Sequence, residues 1–368
     1  TGKLSEEEFY QLGYAQYNTG NYRKAARSFE ELSTVNSKLG QYAMYYLGDS
    51  YLRLDQKSSA RTAFASAKRM NYDPAVQEDA LFNYAKLSYE LKDPREAITA
   101  LQTIRPESRY YVDAQSLMSE IFLSYRDYKQ AMEVIEKMNN KTPAIRETYQ
   151  RVAYLRGLQA LQMGNSAEAK KYLDISLADA PNAEYRALAT YWLGDLAYRE
   201  KDYNGSIRQM NQFLTQAKSM RNLPDESSLF TANYMQGYNY LKQENYNAAL
   251  GFFREAADGI KRNRTFIKNE AVRDQVLGDA TMRAADCLFK RNLYNDAVKL
   301  YDEAINARYK GFEYAIYQKA IIEGLRGRPT DKVLALDRLV KEFPNSEFAD
   351  DALLAMGSTY QEMGQLNQ

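Results

Sequence analysis

Tyrosine and carboxylate side chains carry most of the chemistry that this sequence could offer. Histidine is absent and there is a single cysteine, Cys287. Without imidazole there is no Ser–His or Cys–His nucleophile pair and no histidine base. One thiol makes neither an internal disulfide nor a cysteine metal cluster. Cys287, flanked by Ala284 and Leu288, reads as a packed small hydrophobe. Two of the 48 Asp and Glu residues could form an acid–base pair, but spread over helical patterns they read as solvated faces. The stretch GNSAEAKK at 164–171 lacks the second glycine followed by Lys and Ser or Thr that a phosphate loop requires. These absences argue against an enzyme and call for no cofactor and no metal.

Tyrosine is the abundant resource, with 32 in 368 residues against one Trp. A repeat sets where the tyrosines fall. Small residues recur at Gly13, Gly48, Ala85, Ser119, Gly157, Gly194, Gly237, Ala285, Ala320 and Gly357, spaced 34 to 48 residues apart. Twelve positions after each comes a second small residue: Ala25, Ala60, Ala97, Ala131, Ala169, Ser206, Ala249 and Ala297, with Lys332 the exception. Sixteen positions after comes a bulky apolar one: Phe29, Phe64, Leu101, Ile135, Leu173, Met210, Phe253, Tyr301 and Leu336.

Two antiparallel helices in close crossing need this spacing. A small residue on each helix lets the other backbone approach, and the bulky residue one turn later fills the space beside them. Gly or Asn ends the first helix in TGN at 19–21, MGN at 163–165, QEN at 243–245 and RGR at 326–328. Helix starts are marked by the box Ser5-x-x-Glu8 and by Pro74, Pro106, Pro181 and Pro344 between units. Each hairpin buries its apolar faces only by stacking on its neighbours.

The pattern resembles the tetratricopeptide repeat, W-x2-L-G-x2-Y followed by Ala, Phe and Pro. Leu12-Gly13, Leu47-Gly48 with Tyr51, Leu193-Gly194 and Met356-Gly357 with Tyr360 carry its first half, and Ala60, Phe64 and Ala67 its second. Phe9, Met44, Leu81 and Thr190 stand at the family's Trp position, and the Tyr slips by one to Tyr17, Tyr89 and Tyr198. The resemblance implies an all-α fold, a right-handed superhelical solenoid of about ten helix-turn-helix repeats forming one domain over residues 1–368. The stretch 343–364 is similar to repeats of bacterial envelope proteins such as the Tol-Pal-associated periplasmic coordinator. It tilts the expected location toward the periplasm or cell envelope, with the cytoplasm as the alternative.

With the first small residue of each unit numbered 8, positions 4, 7, 8 and 11 form the packing side of the first helix, and 2, 5, 9, 12 and 13 another. The family resemblance turns the second set toward a concave groove. Position 5 holds Tyr10, Tyr45, Phe82, Tyr154, Tyr191, Tyr234 and Tyr317 in seven of the ten units, and position 9 holds Tyr14, Asp49, Lys86, Asp195 and Tyr238 among others. These twelve are the candidate binding residues. Tyrosine offers a flat face with a polar tip, suited to peptide or sugar. Recurrence at a fixed position is also what packing between repeats demands, so the ladder reads either way. No unit has Lys at 5 with Asn at 9, the pair with which chaperone-binding members of the family clamp a peptide carboxylate.

Lys plus Arg number 49 against 48 acids, a net charge of +1 that argues against nucleic acid as a partner. No apolar run approaches the roughly 18 residues of a membrane span, so the sequence implies no direct membrane insertion. Residues 1–10 lack the regions of a signal peptide, and the chain begins and ends inside helical patterns, as a fragment of a longer protein would. The oligomeric state is not set by the pattern. Two spacings are long: 220–229 reads as a loop around Leu223-Pro224-Asp225, and 259–280 as lengthened helices with a solvated basic end at Lys261, Arg262, Arg264 and Lys268. The function that follows is a non-enzymatic scaffold binding protein or peptide in the groove. The alternatives are carbohydrate stacking on the tyrosines and a regulatory or anchoring part of a longer protein.

Overall fold

The computed structural model describes residues 4–124, 126–138, 141–178, 180–365 and 367, and these divide into two compact units, 1–159 and 160–368, with the division falling inside a helix. In the first unit lie α1 (Glu6–Asn18), α2 (Tyr22–Glu30), α3 (Lys38–Arg53), α4 (Lys57–Ala67), α5 (Pro74–Glu90), α6 (Pro94–Gln102), α7 (Tyr111–Ser124) and α8 (Tyr128–Glu136). Helix α9 (Pro143–Gln162) runs across the division. The second unit continues with α10 (Ser166–Ala178), α11 (Ala183–Arg199), α12 (Tyr203–Ala217), α13 (Leu229–Lys242), α14 (Tyr246–Asn263), α15 (Leu277–Lys290), α16 (Tyr294–Asn306), α17 (Phe312–Leu325), α18 (Pro329–Glu342) and α19 (Ala349–Glu362). Among the described residues there is no strand. From α1 to α8 and from α10 to α19 each helix packs on the next in sequence, and first helices also touch first helices, as α3 does α1 and α5.

The crossings fall where the small residues are. A β-carbon built on Gly13 would lie 2.8 Å from the ring of Phe29, and one on Gly48 2.9 Å from that of Phe64. At Gly194 it would lie 2.9 Å from Met210, and at Gly237 2.5 Å from the ring of Phe253. Each partner is the bulky residue sixteen positions on. Where Lys332 replaces the second small residue, its aliphatic stem lies against Gly324, 2.6 Å from where a β-carbon would be. The glycine has moved to the other side of the same crossing. At Gly357 nothing lies within 4 Å.

Local signals place the helix ends. The Ser5 hydroxyl accepts from the Glu8 main-chain N–H at 3.3 Å, and the Ser5 N–H donates to Glu8 Oε2 at 2.7 Å, closing the expected capping box. Pro74, Pro94 and Pro329 open α5, α6 and α18. In the turn at 243–245 the residue with positive φ is Glu244 (58°), while Asn245 caps α14 by accepting from the Ala248 N–H at 3.1 Å. Asn245 therefore starts a helix instead of ending one. Lys201 is in the same left-handed state at φ 65°. A side chain costs about 1–2 kcal/mol there that glycine does not. Lys201→Gly is expected to raise stability by about 0.5–1 kcal/mol, read as a higher urea midpoint, whereas Lys201→Ala stays within about 0.5 kcal/mol.

The long segment 259–280 departs from the expectation of lengthened helices. Helix α14 does extend to Asn263, but 264–269 is a turn and link, and Ala271–Val276 is a π-helical stretch running into α15. Asp225, in the short 3-10 turn Asp225–Ser227, holds that link by accepting the main-chain N–H groups of Lys268 and Asn269, both at 2.8 Å.

Candidate functional site

The tyrosines of the first helices fall into clusters, and carboxylates from neighbouring repeats anchor them. In the first unit Tyr10 and Tyr14 stack at 6.1 Å, Tyr14 meets the edge of Tyr46 at 5.2 Å, and Tyr46 meets Tyr45 at 5.5 Å. Tyr45 and Tyr10 also pack on the bulky crossing residues, at 5.8 Å from Phe64 and 6.1 Å from Phe29. Asp49 accepts the Tyr17 hydroxyl at 2.5 Å and the Arg53 Nε–H at 3.3 Å. Tyr14 is exposed (39%), and Lys86 is exposed as well. Phe82 stacks on Tyr110 at 4.6 Å, and the Tyr110 hydroxyl donates to Asp79 at 2.9 Å. Tyr154 is buried.

In the second unit Tyr191 is buried (5%), its ring 5.1 Å from that of Phe213. Asp195 is buried too, with Arg199 Nε 2.7 Å away. Burial pushes its carboxyl up, and Arg199 opposes that shift. Tyr317 is half-buried and stacks on Phe348 at 6.0 Å. Tyr234 and Tyr238 are brought together on one acceptor, donating to Asp279 Oδ2 at 2.8 and 2.5 Å. Asp286, one helical face along α15, accepts from Tyr301 at 2.5 Å and Tyr314 at 2.9 Å. Arg283 bridges the two carboxylates, at 3.2 Å from Asp279 and in direct contact with Asp286. Burial pulls the Arg283 guanidinium down, but the Asp286 and Asp279 charges outweigh it and push it up.

At position 5, Tyr10, Tyr45 and Tyr234 pack ring-on-ring with the crossing residue, whereas Phe82, Tyr191 and Tyr317 pack on other rings, and the hydroxyls of Tyr17, Tyr110, Tyr234, Tyr238 and Tyr314 tie one repeat to the next. Reading positions 5 and 9 alone misses Tyr46 at position 6, Asp79, Asp279 and Tyr314 at position 2, and Arg283 at position 6. Position 2 lies on the same side of the helix as 5 and 9, so its Asp and Tyr residues were a usable signal. Of the basic cluster, Lys261 pairs with Glu303 and Arg264 with Asp274, each at 2.6 Å, so it is not simply a solvated end. Cys287 is buried, and its thiol is pushed up to about 12 by burial, as fits a packing role. Among the described residues no group of acids and cysteine could hold a metal ion, and no helix is long and apolar enough to cross a membrane.

Burial also pushes Tyr10 and Tyr45 up to about 12, with nearby carboxylate charges adding to the shift of Tyr45. A phenol whose pKa is higher folded than unfolded stabilises the fold fully below its unfolded pKa of about 10, and that contribution is lost as pH rises to about 12. Ellipticity at 222 nm is expected to fall across that window in step with phenolate absorbance at 295 nm. Titration of all tyrosines near pH 10 with helicity unchanged would contradict this.

The family model for the tetratricopeptide repeat protein 21 ARM repeat matches residues 10–138, and that for the tetratricopeptide repeat matches 154–219. The chain is similar to the TPR repeat-containing protein YpiA of Bacillus subtilis, 23% identical over 280 residues, covering 73% of this chain and 60% of that protein. It is also similar to a DnaJ homolog subfamily C member 7 homolog of Dictyostelium discoideum, 24% identical over 216 residues, covering 58% of this chain and 37% of that one. The chain thus spans less than two thirds of either relative's length. Similar solved structures include YrrB, a TPR protein described as having an unusual peptide-binding site (17% identity, TM-score 0.44, 62% of this chain and 97% of that one). Another is a signal-transduction ATPase with a tetratricopeptide-repeat sensor from Pyrococcus horikoshii (15% identity, TM-score 0.48, 98% of this chain and 55% of that one). Helical hairpins crossing in register at small residues, with two family models that together match more than half of the sequence, lead to one conclusion: the chain belongs to the tetratricopeptide-repeat family, whose fold serves as a scaffold for protein interaction.

Proposed function

We propose that the chain is a non-enzymatic scaffold that holds an extended protein or peptide segment along its first helices. One observation carries this reading. Three successive first helices, α13, α15 and α17, line an open recess of about 510 Å³, walled by Asp286 and Tyr314 and edged by Lys242 and Lys290. Its aromatic wall is fixed in advance by the Asp286 and Arg283 bonds, so a ligand orders few side chains on arrival. Considered by itself, the first unit offers exposed Tyr14 and Lys86 on its own first helices. Sugar stacking needs open ring faces, and the burial of Tyr154 and Tyr191 gives that reading no support.

A photo-crosslinking residue placed at Lys242 or Tyr14 is expected to capture a partner that one placed at Glu255, exposed on the second helix α14, does not. The Lys242→Glu, Lys290→Glu double variant should weaken that partner by about tenfold with the fold intact. Equal capture from Glu255 would place the binding surface elsewhere. The proposal includes a cell-envelope location, supported by the likeness of 343–364 to envelope repeats. Recovery of the natural tagged protein in the cytosolic fraction would remove that part.

A further inference from the structure

The two connections that break the repeat period meet in one place. Residues 218–228 link α12 to α13 and 264–269 link α14 to α15. Both join a second helix to the next first helix, so they emerge at the same edge of the second unit. They are pinned together by the two main-chain bonds to Asp225 and by Asn269 Nδ2 donating to Glu226 Oε1 at 2.6 Å. Phe230 lies across Gly259, where a β-carbon would sit 2.6 Å from its ring. What results is an open pocket of about 630 Å³ with Leu223, Phe230 and Ile267 in its lining.

Phe266 also lines this pocket and is 79% exposed, more than any other large hydrophobic among the described residues. Packing does not account for it, because its neighbour Ile267 is the one buried beneath the link. The charge is one-sided as well. Asp225 and Glu226 are occupied by internal hydrogen bonds. Arg221 and Lys268 line the pocket, are exposed, and pair with no carboxylate among the described residues, unlike nearby Lys261 and Arg264.

We propose that this edge pocket is a second docking site, separate from the first-helix face, for an extended protein segment that seats a bulky apolar side chain beside Phe266 and offers acidic residues to Arg221 and Lys268. An apolar anchor in a pocket supplies most of such an affinity, and the flanking charges select the partner. A basic segment would bring like charges to the two free cations.

The full chain is titrated with the blocked peptide Glu-Glu-Ser-Trp-Ser-Glu-Glu, following tryptophan-free controls and a second peptide with Lys for every Glu. The acidic peptide is expected to bind saturably, and the lysine and alanine-for-tryptophan peptides about tenfold more weakly. Phe266→Ser and the Arg221→Glu, Lys268→Glu pair should each weaken binding by about tenfold, while Lys242→Glu with Lys290→Glu leaves it within about twofold. All three substituted side chains at the pocket are exposed, and the Lys268 group that donates to Asp225 is its main-chain N–H, which the substitution does not remove. No saturable binding, binding indifferent to the pocket variants, or binding lost instead with the Lys242 and Lys290 variant would overturn the proposal. The last outcome would leave the first-helix reading standing.

Discussion

Gly237→Leu is expected to lower the stability of the second unit by about 3 kcal/mol or more, the top of the range for overpacking a filled core. The β-carbon alone would lie 2.5 Å from the ring of Phe253, which is fully buried and held edge-on by Tyr234 and Tyr238. A flat ring boxed in on two sides has nowhere to turn. Gly194→Leu meets the flexible end of Met210, so it should cost less, roughly 1–3 kcal/mol, and Ala249→Leu, at a fully buried crossing position, should fall in the same range. Gly357 occupies the same repeat position with open space around it, and there leucine should be neutral or stabilising by up to about 1 kcal/mol, because glycine is a poor helix former. Urea midpoints of the variants test the whole series. A midpoint for Gly237→Leu close to that of the unsubstituted chain would mean that α13 and α14 do not cross at this residue.

Asp286→Ala is expected to cost about 3 kcal/mol, and it acts by a different route. It leaves the half-buried Arg283 with Asp279 as its remaining carboxylate, and it removes the acceptor of the Tyr301 hydroxyl. Breaking one side of a buried ion pair costs about 3–5 kcal/mol, and an orphaned buried donor about 1–3 kcal/mol. The partial exposure of Arg283 (23%) brings the sum toward the lower end. Asp286→Asn retains an acceptor for Tyr301 and should cost about half as much. A double-mutant cycle with Tyr301→Phe isolates the hydrogen bond, with an expected coupling of about 1 kcal/mol or more. Additive losses would mean that the hydroxyl and the carboxylate act independently.

The hairpins and their register were legible in the sequence because they follow from local rules. Helix period, capping residues and the small-to-bulky spacing of twelve and sixteen act within one repeat, where chain geometry leaves little choice. The Ser5 box, the Gly48–Phe64 crossing and the tyrosines at position 5 were all visible this way. Even the exception at Lys332 points to its partner, since Gly324 lies one helical turn after Ala320.

Only the tertiary structure decided what those tyrosines do. Tyr234 reaches Asp279 from 45 residues away and Tyr314 reaches Asp286 from 28. Such pairs depend on rotamers and on the offset between neighbouring first helices, and neither has a period in the sequence. Tyr191 and Tyr14 look alike as repeat residues, yet one is buried and the other exposed, because burial depends on what the adjacent repeat places over the ring. The edge pocket is the extreme case. Its two connections look unrelated along the chain, and only the stacking of consecutive hairpins brings Asp225 to the main chain of Lys268 and leaves Phe266 in the open.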